Sequence, residues 1–270
     1  MRLRSLVFTL ILFIPAHINA EALGIGPSIE PTILKKELRP IIDGLKRSNI
    51  DTQLVFSTSA NDFLQHAKNR IDMTYVGAAY GTLFVQELGY LPLLVSDQKL
   101  QLVLISNQPL TYSTLNQSTG LTALVNRNDL LMMSAAKSVL GKNVTFGFYN
   151  ANAHILFQVL QNKQHIGAVS YEEMALLPSR LMRKMHIVLK QETSPIYFMI
   201  HPRLKRQKES LTNIMEDFHR SWPEIKQAYP GVAYLNAYTF RRFVKSDSNQ
   251  LQNPKQLQAL KALLESMDTK

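Results

Sequence analysis

The chain has 270 residues, 46% of them hydrophobic, with 30 Lys and Arg against 20 Asp and Glu and no cysteine. The missing cysteine excludes disulfides, thiolate metal sites and a lipid-modified cysteine anchor. Basic residues come in short groups, such as Lys35-Lys36, 203–208 and Arg241-Arg242, with no stripe of interleaved aromatics. That pattern argues against nucleic-acid binding and leaves a positive field that draws in small anions.

In chain order, Arg2 and Arg4 precede an apolar run at 6–15 that ends in the small-residue exit Ile18-Asn19-Ala20. This predicts a secretory signal at 1–20, because the run is about half of the ~20 residues that cross a bilayer. Without Arg2 and Arg4 the mature chain carries 28 basic against 20 acidic residues, a net charge of +8. It is expected in the periplasm, free of a lipid anchor.

Short apolar runs then alternate with amphipathic stretches, the pattern of βαβ units and of an α/β fold class. The predicted elements are a strand at 22–26, a helix at 32–47 and a strand at 52–57. A helix capped by Ser59 or Asn61 follows, then a strand at 73–76, a helix at 80–88 and strands at 91–95 and 102–105. The polar stretch 106–120, rich in Ser, Asn, Gln and Thr, reads as a crossing into a second lobe. That lobe is expected to hold strands at 121–125, 144–148 and 166–169, helices at 129–140 and 151–160, and a short helix from Tyr171. A return crossing at 191–195 leads to a strand at 196–200, a helix at 205–220 and a terminal packing helix at 254–267.

The expected division is therefore a signal peptide at 1–20, lobe I at 21–106, lobe II at 107–194, a return to lobe I at 195–245 and a C-terminal helix and tail at 246–270. Two crossings make a hinge, with a cleft at the carboxyl ends of strands where helix N-termini point.

Two blocks carry a resemblance. Residues 69–80 read NRIDMTYVGAAY, an acidic residue before a strand followed by a Gly-x-x-Tyr turn, and residues 146–170 read FGFYNANAHILFQVLQNKQHIGAVS. Together they resemble the periplasmic substrate-binding proteins of phosphate, phosphite and phosphonate ABC transporters, within the type 2 periplasmic binding fold. The resemblance runs from about 23 to 243 and implies a two-lobed clamp with no cofactor and no metal. It implies that Tyr80 and His154 touch the ligand. Family members also hold the phosphonate with serine and threonine at a lobe II helix start. Here that position reads Asn126-Arg127-Asn128-Asp129.

A helix start welcomes an oxyanion through unpaired N–H groups and its dipole. Asn126 and Asn128 can donate through their amides and Arg127 through a charge-assisted pair. Asp129 would already satisfy the dipole, and if it faced the cleft it would favour a neutral or amine-bearing ligand. Each candidate also has a plain structural reading. His154 could be a surface or capping histidine, and Tyr80 an aromatic packing against Leu83 and Phe84. Ser28 ends the first strand loop and Ser57 the second strand, where Ser57, Thr58 and Ser59 could reach ligand or cap a helix. Tyr171 and Glu172 could line the cleft or sit on the surface.

Catalysis finds no footing: there is no Gly-x-Ser-x-Gly elbow, no His-Glu-x-x-His helix and no Gly-x-x-x-x-Gly-Lys loop. The expectation is a monomeric ligand-capture protein that serves a membrane ABC permease. Signalling to a membrane sensor kinase is the alternative.

Overall fold

The computed structural model describes residues 18–27, 31–141, 143–174, 179–221, 223–224, 227 and 242–268. The expected signal segment up to residue 17, and Ser28, lie outside them. The described chain runs β1 (Ile18–Ile25), α1 (Pro31–Arg47), β2 (Ile50–Phe56), α2 (Ala60–Asn69), β3 (Met73–Gly77), α3 (Ala78–Leu88) and β4 (Leu91–Ser106). It continues through α4 (Tyr112–Gln117), β5 (Thr122–Asn126), α5 (Leu130–Val139), β6 (Thr145–Tyr149), α6 (Asn152–Gln161), β7 (His165–Ser170), α7 (Tyr171–Met174) and α8 (Ser179–Met182). It ends with β8 (His186–Ile200), a 3-10 turn Pro202–Gln207, α9 (Lys208–Arg220), β9 (Phe243–Lys245), a 3-10 turn Ser248–Leu251 and α10 (Pro254–Asp268).

The strands hydrogen-bond in the order β2-β1-β3-β8-β4-β7-β5-β6, with β9 beside β4. Parallel pairs occupy both flanks, β1 with β2 and β3 on one side, β5 with β6 and β7 on the other. Between them lie the two long strands, β4 of 16 residues and β8 of 15, paired antiparallel.

These strands carry the chain between two lobes. The first half of β4 sits beside residues 195–200 of β8, which in turn pair with β3 in lobe I, while Leu102–Ile105 pair with β7 in lobe II. The strands expected separately at 91–95 and 102–105 are thus the two ends of one strand. Between those two stretches of β4, register shifts on both sides of Lys99 interrupt the ladder with β8. The stretch 106–120, expected as a crossing, contains α4, with Thr111 and Thr114 as a reciprocal cap. The expected return crossing at 191–195 lies inside β8, opposite the same irregular stretch.

Alternation along the lobe II strands sends side chains to two separate cores. Leu102, Leu104, Ala123, Val125, Ile166 and Ala168 join the large cluster shared with α5 and lobe I. Val103, Ile105, Leu124 and Val169 instead pack under Ile155, Leu156 and Val159 of α6. Helices α5 and α6 therefore cover opposite faces of one sheet, and both begin at its carboxyl edge.

Asp72, the acidic residue of the 69–80 block, lies at the other end of β3. Its carboxylate accepts from the Ala22 N–H at 2.9 Å and from Arg203 Nε. Neighbouring Glu21 is pushed up to about 7, chiefly by burial and then by the Asp72 charge. This cluster fastens β1 to the 3-10 turn at 202–207 and takes no part in the cleft. No described helix is long and apolar enough to cross a membrane.

Candidate ligand site between the lobes

The site is built where β3 and β5 end. Gly77 starts α3 with extended backbone, and a Cβ there would fall 2.8 Å from Leu131 Cδ2, so any larger residue would have to displace the Leu131 side chain at the first turn of α5. The Ala78 N–H donates to Ser194 Oγ at 3.0 Å, so a residue of the hinge strand closes the α3 start. One turn on, the Tyr80 hydroxyl donates to the Asn128 carbonyl at 3.0 Å in a buried bond between the lobes. The Tyr80 ring meets Phe63 edge-on at 5.1 Å, and burial followed by the nearby Asp129 charge raises its pKa well above the phenol range.

The segment 126–129 folds into a tight turn. Asn126 Oδ1 accepts from the Asn128 N–H at 3.0 Å, and the Asn126 carbonyl accepts from the Asp129 N–H at 3.0 Å. Asp129 then caps α5, its Oδ1 accepting from the Met132 N–H at 3.0 Å. Burial, and secondarily the charge of Glu172, raise this carboxyl to about 6 against the pull of its backbone donors. The carboxylate that sequence reasoning placed either on the dipole or in the cleft is on the dipole. It closes the α5 start.

Two donors beside it are left over. Asn126, 1% exposed, has no partner for its amide nitrogen among the described residues, and Arg127 Nε is likewise buried without one. A buried donor without an acceptor costs about 1–3 kcal/mol, so these two groups favour an acceptor. The Arg127 N–H donates to the Tyr149 carbonyl at 2.9 Å, which ties this turn to the chain entering α6. The α6 start differs from that of α5: its N-cap is Ala151, and no side chain caps the helix. His154 lies exposed in this first turn, pointed outward because Ile155, Leu156 and Val159 take the buried face.

The structure thus brings together Tyr80, Asn126, Arg127 and Asn128, with His154 at the neighbouring helix start. Ser57 is buried and bonds His66 Nδ1 at 3.1 Å, and His66 in turn faces Asp62. Ser59 caps α2 by accepting from the Asp62 N–H at 3.1 Å. Tyr171 is exposed, with the Lys190 ammonium 3.7 Å from its ring centroid, a surface cation–π pair. Its neighbour Glu172, buried, is the one that acts on Asp129. Sequence reasoning missed Ser194 and Leu131, whose roles depend on a partner more than 50 residues away. Among the described residues no group of three or more His, Cys, Asp or Glu is placed to hold a metal.

No family model matches the chain, and no curated protein matches it in sequence. Solved structures do. PhnD1 from Prochlorococcus marinus, in complex with methylphosphonate, superposes with a TM-score of 0.68 at 12% identity over 93% of this chain and 99% of its own. The fold is that of the type 2 periplasmic binding proteins. A binding protein component of an ABC phosphonate transporter from Pseudomonas aeruginosa gives a TM-score of 0.67 at 14% identity, covering 93% of this chain and 96% of that one. The periplasmic aliphatic sulphonate binding protein SsuA from Escherichia coli gives 0.60 at 12% identity, covering 92% and 87%.

Proposed function

We propose that the chain is an exported solute-binding protein that closes its lobes on a small phosphonate- or phosphate-like anion and presents it to a membrane ABC permease, without chemistry. The observation that carries this reading is the pair of buried, unpartnered donors, Asn126 Nδ2 and Arg127 Nε, beside the uncapped start of α6. Both missing partners are acceptors, and a guanidinium and a helix start together favour an anion. The fold neighbours support the class: one holds methylphosphonate, one belongs to a phosphonate transporter and one binds aliphatic sulphonates.

In this reading the anion sits at α6 rather than α5, because Asp129 already occupies the α5 start. Arg127 supplies the charge, Asn126 an amide donor, and His154 lies at the rim. Tyr80 holds the lobes together through Asn128 rather than reaching the ligand.

A thermal-shift screen followed by calorimetry tests the proposal, using methylphosphonate, phosphate, methanesulfonate, carboxylates and amines. Ligand at 100 times its Kd adds about 2.7 kcal/mol of stability. Stabilisation by oxyanions alone supports the reading. Stabilisation by amines or neutral solutes alone overturns it.

A further inference from the structure

A second cavity lies on lobe I, away from the cleft. It has a volume of about 470 Å³, within the range of small-molecule sites, roughly 300–1,000 Å³. Its wall includes Pro92 and Leu93, the latter buried, at the start of β4. Pro92 is in register with Met199, and Met199 with Thr74 at the beginning of β3, whereas the cleft residues follow the far end of β3 at Gly77. The cavity therefore opens towards the opposite end of the lobe I sheet from Tyr80 and Arg127.

Four cations converge on it from three elements: Lys205 and Arg206 on the 3-10 turn, Lys208 at the start of α9 and Lys245 on β9. Glu209 is the one acidic residue of the lining, so four positive groups against one negative leave three uncompensated charges. None of these five side chains forms an ion pair with another described residue. Nor does a side chain cap α9, whose N-cap is Gln207. Within the wall, Ser246 is anchored by its N–H to the Leu93 carbonyl at 2.9 Å, while its hydroxyl is buried without a partner. The β9 pairing with β4 brings Lys245 opposite Leu94, so the gathering of charge is set by the sheet.

A concave surface that assembles four like charges against a single counter-charge raises the local concentration of anions. Arg206 adds a planar fork that matches phosphate oxygens, and the lysines add point charges. We propose that this cavity is a second anion site, for a ligand carrying two or more phosphate groups, separate from the captured solute. The phosphates belong either to a soluble polyphosphate or to lipid headgroups, and the two sources share this chemistry.

Calorimetric titration of the purified protein with inorganic tripolyphosphate at low salt tests it. One binding event is expected, weakened about tenfold or more by Lys208→Ala combined with Lys245→Ala and strengthened by Glu209→Gln, with methylphosphonate affinity the same in all three proteins. Co-sedimentation with phosphatidylglycerol vesicles, competed by tripolyphosphate, assigns the phosphates to lipid; tripolyphosphate binding without sedimentation assigns them to a soluble ligand. Absence of tripolyphosphate binding, or binding indifferent to both the double variant and Glu209→Gln, overturns the site. The cleft titration is independent of that outcome.

Discussion

Helices α5 and α6 start at the carboxyl ends of neighbouring parallel strands, yet one start is closed by the chain itself and the other is left open. At α5 the Asp129 carboxylate accepts from the helix and Tyr80 locks the preceding carbonyl. At α6 the cap is an alanine, while two buried donors next door lack acceptors. The contrast teaches that a helix start is an anion site only when no side chain has taken its place.

Transplanting the closed state onto the open start breaks the comparison hardest. Ala151→Asp should add an α6 cap and stabilise the protein by about 1 kcal/mol, while weakening anion binding by about 100-fold, as calorimetry and thermal unfolding would show. A tighter-binding variant would mean that the anion lies elsewhere. Removing the charge next, Arg127→Ala deletes a charge-assisted contact of about 1.5–3 kcal/mol, a loss of about 10–100-fold in affinity.

Relieving the closed start has the opposite sign. Asp129→Ser keeps a capping oxygen and removes a negative charge near the ligand, so affinity should rise by about tenfold. The wild-type carboxyl titrates at about 6, raised above its usual value by burial and then by Glu172, and an anion beside it favours the protonated form. Affinity for methanesulfonate, whose charge is constant in this range, should therefore increase as pH falls through about 6. In Asp129→Ser the part of the rise that comes from this carboxyl should disappear. Tyr80→Phe leaves the Asn128 carbonyl without its donor and should cost about 1 kcal/mol of stability, with a change of only a few-fold in affinity. Ser57→Ala, which touches His66 and not the cleft, should leave affinity within about twofold.

Much of the fold was legible because apolar periodicity survives in most elements. The strand at 73–76, the helix at 80–88 and the terminal helix at 254–267 all sit within a few residues of their observed bounds. The long strands β4 and β8 were not legible. Gln98, Lys99, Gln191 and Glu192 are exposed and Gln101 partly so, and these polar residues break the apolar pattern that would mark one continuous strand. Strand β9, with three residues, is held by pairing with β4 rather than by any pattern of its own.

The site divides in the same way. Motif position singled out Asn126, Arg127, Asn128 and Tyr80, which the fold sets close together, and the capping habit of aspartate anticipated the role of Asp129. Ser194, Leu131 and the unpartnered state of Asn126 Nδ2 were invisible, because each depends on which distant groups come close. Ser57 ends β2 as expected, and its bond to His66 of α2, nine residues on, was not legible from the sequence.

The central claim is that a small oxyanion binds at the open α6 start through Arg127. Calorimetric titration of methylphosphonate into the wild-type protein and Arg127→Ala tests it most directly. The account predicts a single site in the wild type, weakened about 10–100-fold in the variant. Equal affinity in two folded proteins, or binding only by amines, would contradict it.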